Sequence, residues 1–302
     1  MDLHIEPTSK CTLGCPLCSR TWFYEKFKKR LLHEVDVDHL VKFIGLNKKV
    51  LLCGNHGDPI YHSEFIEMCR RLKENDCELA IVTNGSSKTK KWWRELNTVL
   101  DEKDAIIFSI DGLEDTNHIY RINAKWKSIM DAVSVLQERK CQMKWKFIVF
   151  KHNQHQIKDA EALSKELGFD QFYSDYSDRW LGKKEMMPDE QYVDKGYKQS
   201  EKILTDKKFS TSMSPKCLMN GVPSYQLYVD AEGDFYPCCW MGTYHYKYTT
   251  IFSPKKRKPF NIKDHSIDDI LEWTEVKEFF ESTKQFTSAH ECCKIHCGVK
   301  NG

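Results

Sequence analysis

Short apolar runs alternate with amphipathic stretches over residues 2–175, and this alternation constrains the fold more than any other feature of the sequence. The apolar runs have the length of strands, and the stretches between them have the pattern of helices. Strands that are separated by helices of this length form βαβ units with a parallel sheet. Six strands are predicted, at residues 3–5, 50–53, 79–83, 105–110, 146–150 and 171–174.

Five amphipathic helices are predicted between these strands, at residues 36–46, 63–73, 89–100, 126–138 and 156–167. Six strands with five intervening helices suit either an open doubly wound sheet or an incomplete β/α barrel. The periodicity alone does not distinguish these two α/β architectures.

The pattern changes after residue 175. A polar segment over residues 178–208 is followed by a predicted β-hairpin at residues 225–236, whose turn includes Gly233. Glycine is expected there because the turn requires a positive φ. A last amphipathic helix is predicted at residues 266–282. The chain is therefore expected to form one domain over residues 1–205 and a smaller domain over residues 206–302.

Charge and hydropathy exclude two classes of protein. The chain has 46 Lys and Arg residues against 44 Asp and Glu residues, a formal net charge of +2. A dedicated nucleic-acid binder needs a concentrated basic surface, so nucleic acid is not an expected partner. No stretch approaches the roughly 20 apolar residues of a membrane helix, and the amino terminus lacks the layout of a signal peptide. A cytoplasmic protein is expected.

The thirteen cysteines are unevenly distributed. A protein without an export signal is expected in a reducing compartment, where clustered thiols favour metal binding over disulfides. Four cysteines stand alone and are interpreted as small buried side chains. The other nine form two groups, which predicts two metal sites. The first group is Cys11, Cys15 and Cys18, and the second is Cys217, Cys238, Cys239, Cys292, Cys293 and Cys297.

The first cysteine group has the spacing C-x3-C-x2-C, directly after the first predicted strand. Three thiolates on so short a loop can bind three corners of a cubane iron–sulfur cluster, which leaves the fourth iron open to a small molecule. A closed zinc site needs four ligands, and the loop offers three without a nearby histidine. The spacing also differs from that of ferredoxins.

This motif resembles the signature of the radical SAM superfamily, whose fold is a partial (β/α)6 barrel. The resemblance implies a [4Fe–4S] cluster on Cys11, Cys15 and Cys18, and S-adenosylmethionine (SAM) as the second cofactor. Many relatives have an aromatic residue at the position of Leu17, which is expected to contact the adenine of SAM.

Further motifs of the superfamily follow the next predicted strands. The segment of residues 54–59, Gly-Asn-His-Gly-Asp-Pro, resembles the glycine-glycine-glutamate motif, with Gly57 and Asp58 at the ammonium group of SAM. Here an aspartate stands in place of the usual glutamate. Asn84 follows the third strand, as in many relatives.

The fourth strand ends at Ser109, with Arg121 a little later. This segment resembles one in SPASM-type members, in which the serine contacts SAM and the arginine pairs with its carboxylate. A guanidinium suits that task because it can bind a carboxylate bidentately. In β/α barrels the loops after the strands share one face, so these residues are expected to lie together at the active site.

The second cysteine group includes the arrangement C-x15-G-x4-C from Cys217 to Cys238. It resembles the opening of SPASM and twitch domains, which hold auxiliary iron–sulfur clusters. One auxiliary [4Fe–4S] cluster is expected, with Cys217, Cys238, Cys293 and Cys297 as ligands. Cys239 and Cys292 are the alternative ligands. A structural zinc site built from the same thiols remains the alternative metal centre.

The resemblance implies that a one-electron donor such as flavodoxin or ferredoxin reduces the first cluster. SAM is then cleaved to methionine and a 5′-deoxyadenosyl radical, which abstracts hydrogen from a substrate carbon. Cys11 comes too early for a peptide-recognition domain before the barrel, which favours a small polar metabolite or sugar as substrate. The candidate groups on the substrate side are His56, Lys151, His152, Asp175, Asp178 and Arg179.

Two other functions remain open at this point. One is an enzyme that modifies ribosomal peptides and recognises them through the carboxy-terminal domain. The other is a non-catalytic iron–sulfur protein that transfers electrons. Such a protein would have no need for the segments around Asp58 and Arg121.

Overall fold

The structure, a computed structural model, describes residues 2–175, 183–192, 212–223, 226–244, 246–255 and 260–299. The chain divides into two compact units. The larger unit comprises Ile5–Glu34 and Leu46–Val193, and the smaller comprises Met1–His4, Val35–Gly45 and Asp194–Gly302. The predicted boundary between residues 205 and 206 lies outside the described residues.

The six strands expected from the alternating pattern lie next to one another in one eight-stranded sheet. They are hydrogen-bonded in the order of the chain, and β2 to β6 pair in parallel from one neighbour to the next. The partial (β/α)6 barrel predicted by the resemblance is therefore confirmed. The strands are β1 (Asp2–Ile5), β2 (Lys49–Leu52), β3 (Glu78–Thr83), β4 (Ala105–Ser109), β5 (Gln142–Ile148) and β6 (Gln171–Asp175).

Helices connect these strands and cover apolar side chains of the sheet, such as Ile81 and Phe108, which are fully buried. The helices before the end of β6 are α1 (Ser19–Phe27), α2 (Val37–Ile44), α3 (Phe65–Glu74), α4 (Lys90–Val99), α5 (Asn117–Tyr120), α6 (Trp126–Val135) and α7 (Ile157–Glu166). Five of the helices, α2, α3, α4, α6 and α7, are amphipathic and match the five predicted positions to within a few residues. Among them, α2 belongs to the smaller unit.

Two parts of this region differ from the prediction. Helix α1 was not expected, because among its nine residues Phe23 is the single buried one and the sequence shows no apolar stripe. Strand β5 begins at Gln142 rather than at residue 146, since Met143 and Trp145 are fully buried on alternate positions. It ends before Phe150, whose backbone N–H donates to Asn153 Oδ1 at 2.7 Å.

Besides α2, the described part of the smaller unit contains the hairpin and three further helices. Strands β10 (Leu227–Val229) and β11 (Phe235–Tyr236) pair antiparallel, and Gly233 in their turn has a φ of +82°, as predicted. Residue 225, where the first strand was expected to begin, lies outside the described residues. The short strands β7 (Ser212–Met213) and β12 (Gly298–Val299) form one pair, and β8 (Leu218–Met219) and β9 (Val222–Pro223) form another.

The last predicted helix is interrupted. Trp273 has an extended conformation, with φ −64° and ψ 134°, which ends α8 (Ile267–Glu272) before α9 (Thr274–Ser282) begins. Ser266 and Asp269 form a capping box at the start of α8. A further helix, α10 (Glu291–Cys297), carries three of the carboxy-terminal cysteines. In the part of the chain that the structure describes, no helix is both long and apolar enough to cross a bilayer.

Candidate active site

An open pocket lies where the strands of the larger unit end, and the three cysteines of the first motif line it. Five of the six residues predicted to bind SAM line the same pocket. Sequence-distant residues are thus neighbours, as expected for loops after parallel strands. These five residues are Gly57, Asp58, Asn84, Ser109 and Arg121.

Leu17, the sixth, does not belong to the lining of this pocket and is partly exposed. It stands directly before Cys18, which does line the pocket. Its contact with adenine therefore stays a prediction from the resemblance alone.

Glu6 organises the loop that follows β2. Its carboxylate is buried and accepts hydrogen bonds from the backbone N–H groups of His56, at 2.7 Å, and Gly57, at 2.9 Å. The loop passes so close to the chain after β1 that a Cβ on Gly57 would lie 1.8 Å from the carbonyl oxygen of Thr8. Only glycine fits at residue 57, and the backbone of the loop is held in one conformation.

Asp58 lies at the centre of a hydrogen-bond network beneath the pocket. Its carboxylate accepts from Thr83 Oγ1, at 2.9 Å, and from the backbone N–H of Asn84, at 2.7 Å. It also accepts from Asn84 Nδ2, and from the backbone N–H of Ile60 at 3.3 Å. Burial raises the pKa of Asp58, and the hydrogen bonds oppose that rise. The carboxylate therefore joins the ends of β2 and β3.

Two of the three cysteines in the pocket interact with neighbouring polar side chains. Asn84 Nδ2 lies 3.8 Å from Cys11 Sγ, and the positive charge of Arg121 favours the thiolate of Cys15. Burial raises the pKa of Cys11 to about 12 and also raises that of Cys15. Iron binding must displace the protons of these thiols, because the thiolate is the metal ligand.

Arg121 is held by Asp111, a residue that the sequence analysis did not select. Arg121 Nε donates to Asp111 Oδ2 at 2.6 Å, and Asp111 is fully buried. Asp111 Oδ1 in turn accepts from the backbone N–H of Ile148, at 2.7 Å. The guanidinium is thus fixed at the pocket through Nε. The Ser-Ile-Asp-Gly segment that begins at Ser109 was the sequence signal that could have revealed Asp111 as its partner.

A charged pair also lies at the ends of the strands. Lys146 on β5 lines the pocket, and its Nζ lies 2.5 Å from Asp175 Oδ2 at the end of β6. Asp175 was predicted on the substrate side, whereas Lys146 was missed because it was placed only as a strand residue. Cys53, at the end of β2, lines the pocket as well and had been interpreted as a buried structural residue.

The other candidates on the substrate side are dispersed. His56 lines the pocket, and its Nδ1 lies 3.5 Å from Glu6 Oε2. Lys151 is exposed and outside the pocket lining, and the ring of His152 stacks on Phe150 with centroids 5.6 Å apart. Asp178 and Arg179 lie outside the described residues.

The six carboxy-terminal cysteines line a second pocket, within the smaller unit. Burial, the largest cause, raises the pKa values of Cys217 and Cys293, the latter to about 12, and the neighbouring thiols add to the effect. Cys293 and Cys297 are four residues apart on α10, so they lie on one face of the helix. Cys239 and Cys292 line the same pocket and remain alternative ligands.

A pair of stacked rings lines this second pocket. The rings of Trp240 and His296 lie 3.9 Å apart with an angle of 11° between their planes, and both residues line the pocket. Burial lowers the pKa of His296 to about 4. Neither residue was selected from the sequence, where a single tryptophan and a single histidine give no signal.

The spacing of the thiols tests which metal group the two cysteine sites fit. All thirteen cysteines are described, and none forms a disulfide. Nowhere among the described residues do three cysteine sulfurs lie within 4.8 Å of one another. Four thiolates on one zinc ion, with bonds of about 2.3 Å, would stand about 3.8 Å apart. Each thiolate of a cubane binds a different iron, so a cubane does not require three sulfurs within that distance of one another.

Two family models match the chain. The model of the radical SAM superfamily matches residues 5–163, more than half of the 302 residues. The model of the SPASM iron–sulfur cluster-binding domain matches residues 217–298. The first match implies a [4Fe–4S] cluster and SAM as cofactors, and the second implies auxiliary iron–sulfur clusters in the carboxy-terminal region.

A curated protein of Pyrococcus furiosus is similar in sequence. This protein, the tungsten-containing aldehyde ferredoxin oxidoreductase cofactor-modifying protein, is 26% identical over 184 residues. The match covers 56% of this chain and 49% of the relative, so the chain spans about half the length of that protein.

Two crystal structures of Streptococcus suis SuiB share the fold, with a sequence identity of 12%. The structure bound to S-adenosylmethionine has a TM-score of 0.62 over 92% of this chain and 67% of SuiB. The structure bound to the precursor peptide SuiA also has a TM-score of 0.62, over 97% of this chain and 70% of SuiB. At this identity the likeness concerns the fold alone.

Proposed function

Because the chain belongs to the radical SAM superfamily, we propose that it cleaves SAM reductively and removes hydrogen from a carbon of a small polar substrate. The single observation that carries this proposal is the composition of the first pocket. Three thiols, which would leave the fourth iron of a cubane open, and polar groups suited to an amino acid line the same pocket. A cluster that only transfers electrons would not need these polar groups.

In this proposal the protein binds and orients the two cofactors. Cys11, Cys15 and Cys18 hold the cluster, while Asp58 and Arg121 offer charges for the ammonium and carboxylate groups of SAM. When bound, the cluster and SAM together supply a carbon-centred radical that can abstract hydrogen. Glu6 and Asp111 fix the loop and the guanidinium, so the positions of these charges are set before SAM binds.

Residues 206–302 form an auxiliary-cluster domain in this proposal, and residues 1–205 form the catalytic barrel. The proposed ligands of the auxiliary cluster are Cys217, Cys238, Cys293 and Cys297. They line a common pocket, and the last two are four residues apart on one helix. We expect about eight irons per chain after anaerobic reconstitution. Replacing Cys11, Cys15 and Cys18 by alanine should remove about half of them, whereas loss of all iron would contradict two independent sites.

A polar substrate is supported by the charged groups at the pocket. Lys146 lines the pocket and pairs with Asp175 at the end of β6, and both keep part of their side chains exposed, 31% and 45% respectively. The name of the Pyrococcus furiosus relative describes modification of a cofactor, which agrees with a small-molecule substrate. The proposed electron donor is flavodoxin or ferredoxin.

Hydrogen transfer from the substrate provides the test of this proposal. The reconstituted protein is incubated with SAM, dithionite and perdeuterated metabolite extract, and deuterium is sought in the 5′-deoxyadenosine that forms. Transfer from the fraction of small polar molecules supports the proposal. Transfer from a peptide fraction only would replace it with peptide modification, and Lys146→Met should lower the transfer if the charged pair binds the substrate.

A further inference from the structure

Helix α1 leaves two aromatic side chains partly exposed directly after the first cysteine group, one of which, Phe27, also packs against Phe23 with ring centroids 4.8 Å apart. Cys18 is the N-cap residue of the helix, and Phe23 is the single buried residue of its nine. Tyr24 is 46% exposed and Phe27 is 43% exposed. Aromatic side chains contribute most when they are buried, so a helix that exposes two of them has a face suited to a partner.

Positive charge accompanies these rings. Residues 24–30 are all exposed, and they include Lys26, Lys28, Lys29 and Arg30 against the single acid Glu25. The ammonium of Lys26 lies 4.7 Å from the ring centroid of Trp22 and 5.4 Å from that of Phe27. Because the whole chain has a formal charge of only +2, this segment is a local concentration of positive charge.

The segment is also close to the first pocket along the chain. Cys18 lines the pocket and precedes the first residue of α1. With a rise of 1.5 Å per residue, Tyr24 stands about 9 Å and Phe27 about 13.5 Å along the helix from Cys18. A protein bound to this face would bring a redox group near the cluster that Cys18 is proposed to hold.

We propose that residues 22–30, here called the α1 surface, are the docking site of an acidic one-electron carrier protein of the flavodoxin or ferredoxin type. This inference rests on the proposed function, which requires such a donor. The carrier gives up one electron and the cluster accepts it, with no proton or chemical group exchanged. The basic side chains attract the acidic carrier, and the exposed rings supply the apolar contact at the centre of the interface.

A basic surface with exposed rings could also bind single-stranded RNA, because bases stack on aromatic side chains. The position of the α1 surface favours the carrier. Electron transfer requires two redox groups to be close, and the α1 surface begins at a cluster cysteine. RNA binding has no such requirement.

Charge reversal of the α1 surface tests the inference. The variant is Lys26→Glu/Lys29→Glu/Arg30→Glu, and the probe is a bacterial flavodoxin. Its affinity for the reconstituted enzyme is measured by calorimetry at low ionic strength, and cluster reduction is followed by stopped-flow absorbance. We expect binding to weaken at least tenfold and flavodoxin-driven reduction to slow by a similar factor, while reduction by dithionite and the iron content remain unchanged.

A matched control carries the same change of charge elsewhere. Lys103, Lys140 and Lys158 are exposed, and Lys103→Glu/Lys140→Glu/Lys158→Glu should leave both flavodoxin measurements close to those of the wild type. A second variant, Tyr24→Ser/Phe27→Ser, keeps the charge and should also weaken binding. It separates the contribution of the rings from that of the charge.

Three outcomes would overturn the inference: equal flavodoxin binding by the wild type and the charge-reversed variant, equal loss in the control variant, or binding of a fluorescent oligonucleotide without binding of flavodoxin. Failure of the proposed function would look different. In that case dithionite-reduced wild type would cleave no SAM, whereas the binding measurement would still report on the docking surface.

Discussion

The side-chain amide of Asn84 lies 3.8 Å from the thiol sulfur of Cys11 and donates a hydrogen bond to it. The same amide nitrogen donates to the carboxylate of Asp58. A residue predicted to contact SAM therefore also contacts a ligand of the proposed cluster. Hydrogen bonds to the sulfurs of an iron–sulfur cluster influence its reduction potential, so Asn84 is placed to affect electron uptake.

Replacing Asn84 by alanine is expected to lower the reduction potential of the cluster, because the more negative reduced form loses a hydrogen bond. A shift that makes the reduced fraction roughly tenfold smaller at a fixed potential corresponds to about 59 mV. A redox titration followed by electron paramagnetic resonance measures it. Ser86→Ala is the control, since Ser86 Oγ bonds to Asn84 Oδ1, at 2.6 Å, on the carbonyl side of the amide. An unchanged potential in Asn84→Ala with full iron content would refute the role.

Asp58→Asn is expected to weaken SAM binding by about tenfold to a hundredfold, because a charge-assisted hydrogen bond contributes roughly 1.5–3 kcal/mol. Equilibrium binding to the oxidised, reconstituted protein measures the effect. Thr83→Val is the matched variant, because it removes one donor to Asp58 and keeps the carboxylate charge. If both variants bind SAM as the wild type does, Asp58 only joins the two strands.

Gly57→Ala should abolish SAM binding, since a Cβ at residue 57 would overlap the carbonyl oxygen of Thr8 and displace the loop. Gly14→Ala serves as the control in the cysteine loop. Its Cβ would lie 3.5 Å from Ile122, an ordinary contact distance. Calorimetric titration with SAM compares the two variants, and normal affinity in Gly57→Ala would show that the loop does not take part in binding.

Lys247→Met should destabilise the smaller unit by about 3–5 kcal/mol at pH 8. Lys247 is buried, and its Nζ lies 2.9 Å from Glu232 and 3.4 Å from Asp230. Burial raises the pKa of Asp230 to about 7. Below that pH, Asp230 keeps its proton in the folded variant, whereas in the unfolded chain it has released the proton. The free energy of unfolding of the variant should therefore fall as the pH rises from about 5 to 8.

Thermal unfolding of the Lys247→Met protein at several pH values checks this expectation. Lys277→Met removes an exposed ion pair with Glu272 and should cost less than about 1 kcal/mol. If the stability of Lys247→Met did not depend on pH over this range, Asp230 would not bind a proton in the folded variant, and the expectation would be wrong.

The sequence predicts the parallel strands well because their apolar runs are buried on the sheet, as at Leu79 and Ile106. It predicts the hairpin turn because Gly233 is needed for its positive φ. The break at Trp273 was missed, since a single residue in an extended conformation does not interrupt an amphipathic pattern. Helix α1 was missed because it buries a single residue, Phe23, and shows no apolar stripe in the sequence.

In the candidate site, too, some features could be predicted from the sequence and others could not. Spacing and the order of motifs were sufficient to select the residues that line the pocket, since parallel strands bring their following loops together. The partners of these residues could not be predicted in this way. Glu6 accepts from His56, 50 residues away, and Asp111 accepts from the backbone of Ile148, 37 residues away, so only the structure shows these contacts.

Formation of 5′-deoxyadenosine tests the central claim most directly. The reconstituted wild-type protein, incubated anaerobically with SAM and dithionite, should produce 5′-deoxyadenosine and methionine in equal amounts, as measured by mass spectrometry. The Cys15→Ala variant, which retains the auxiliary cysteines, should produce none above background. Equal production by both proteins, or none from wild type with a full complement of iron, would contradict the assignment of the first pocket.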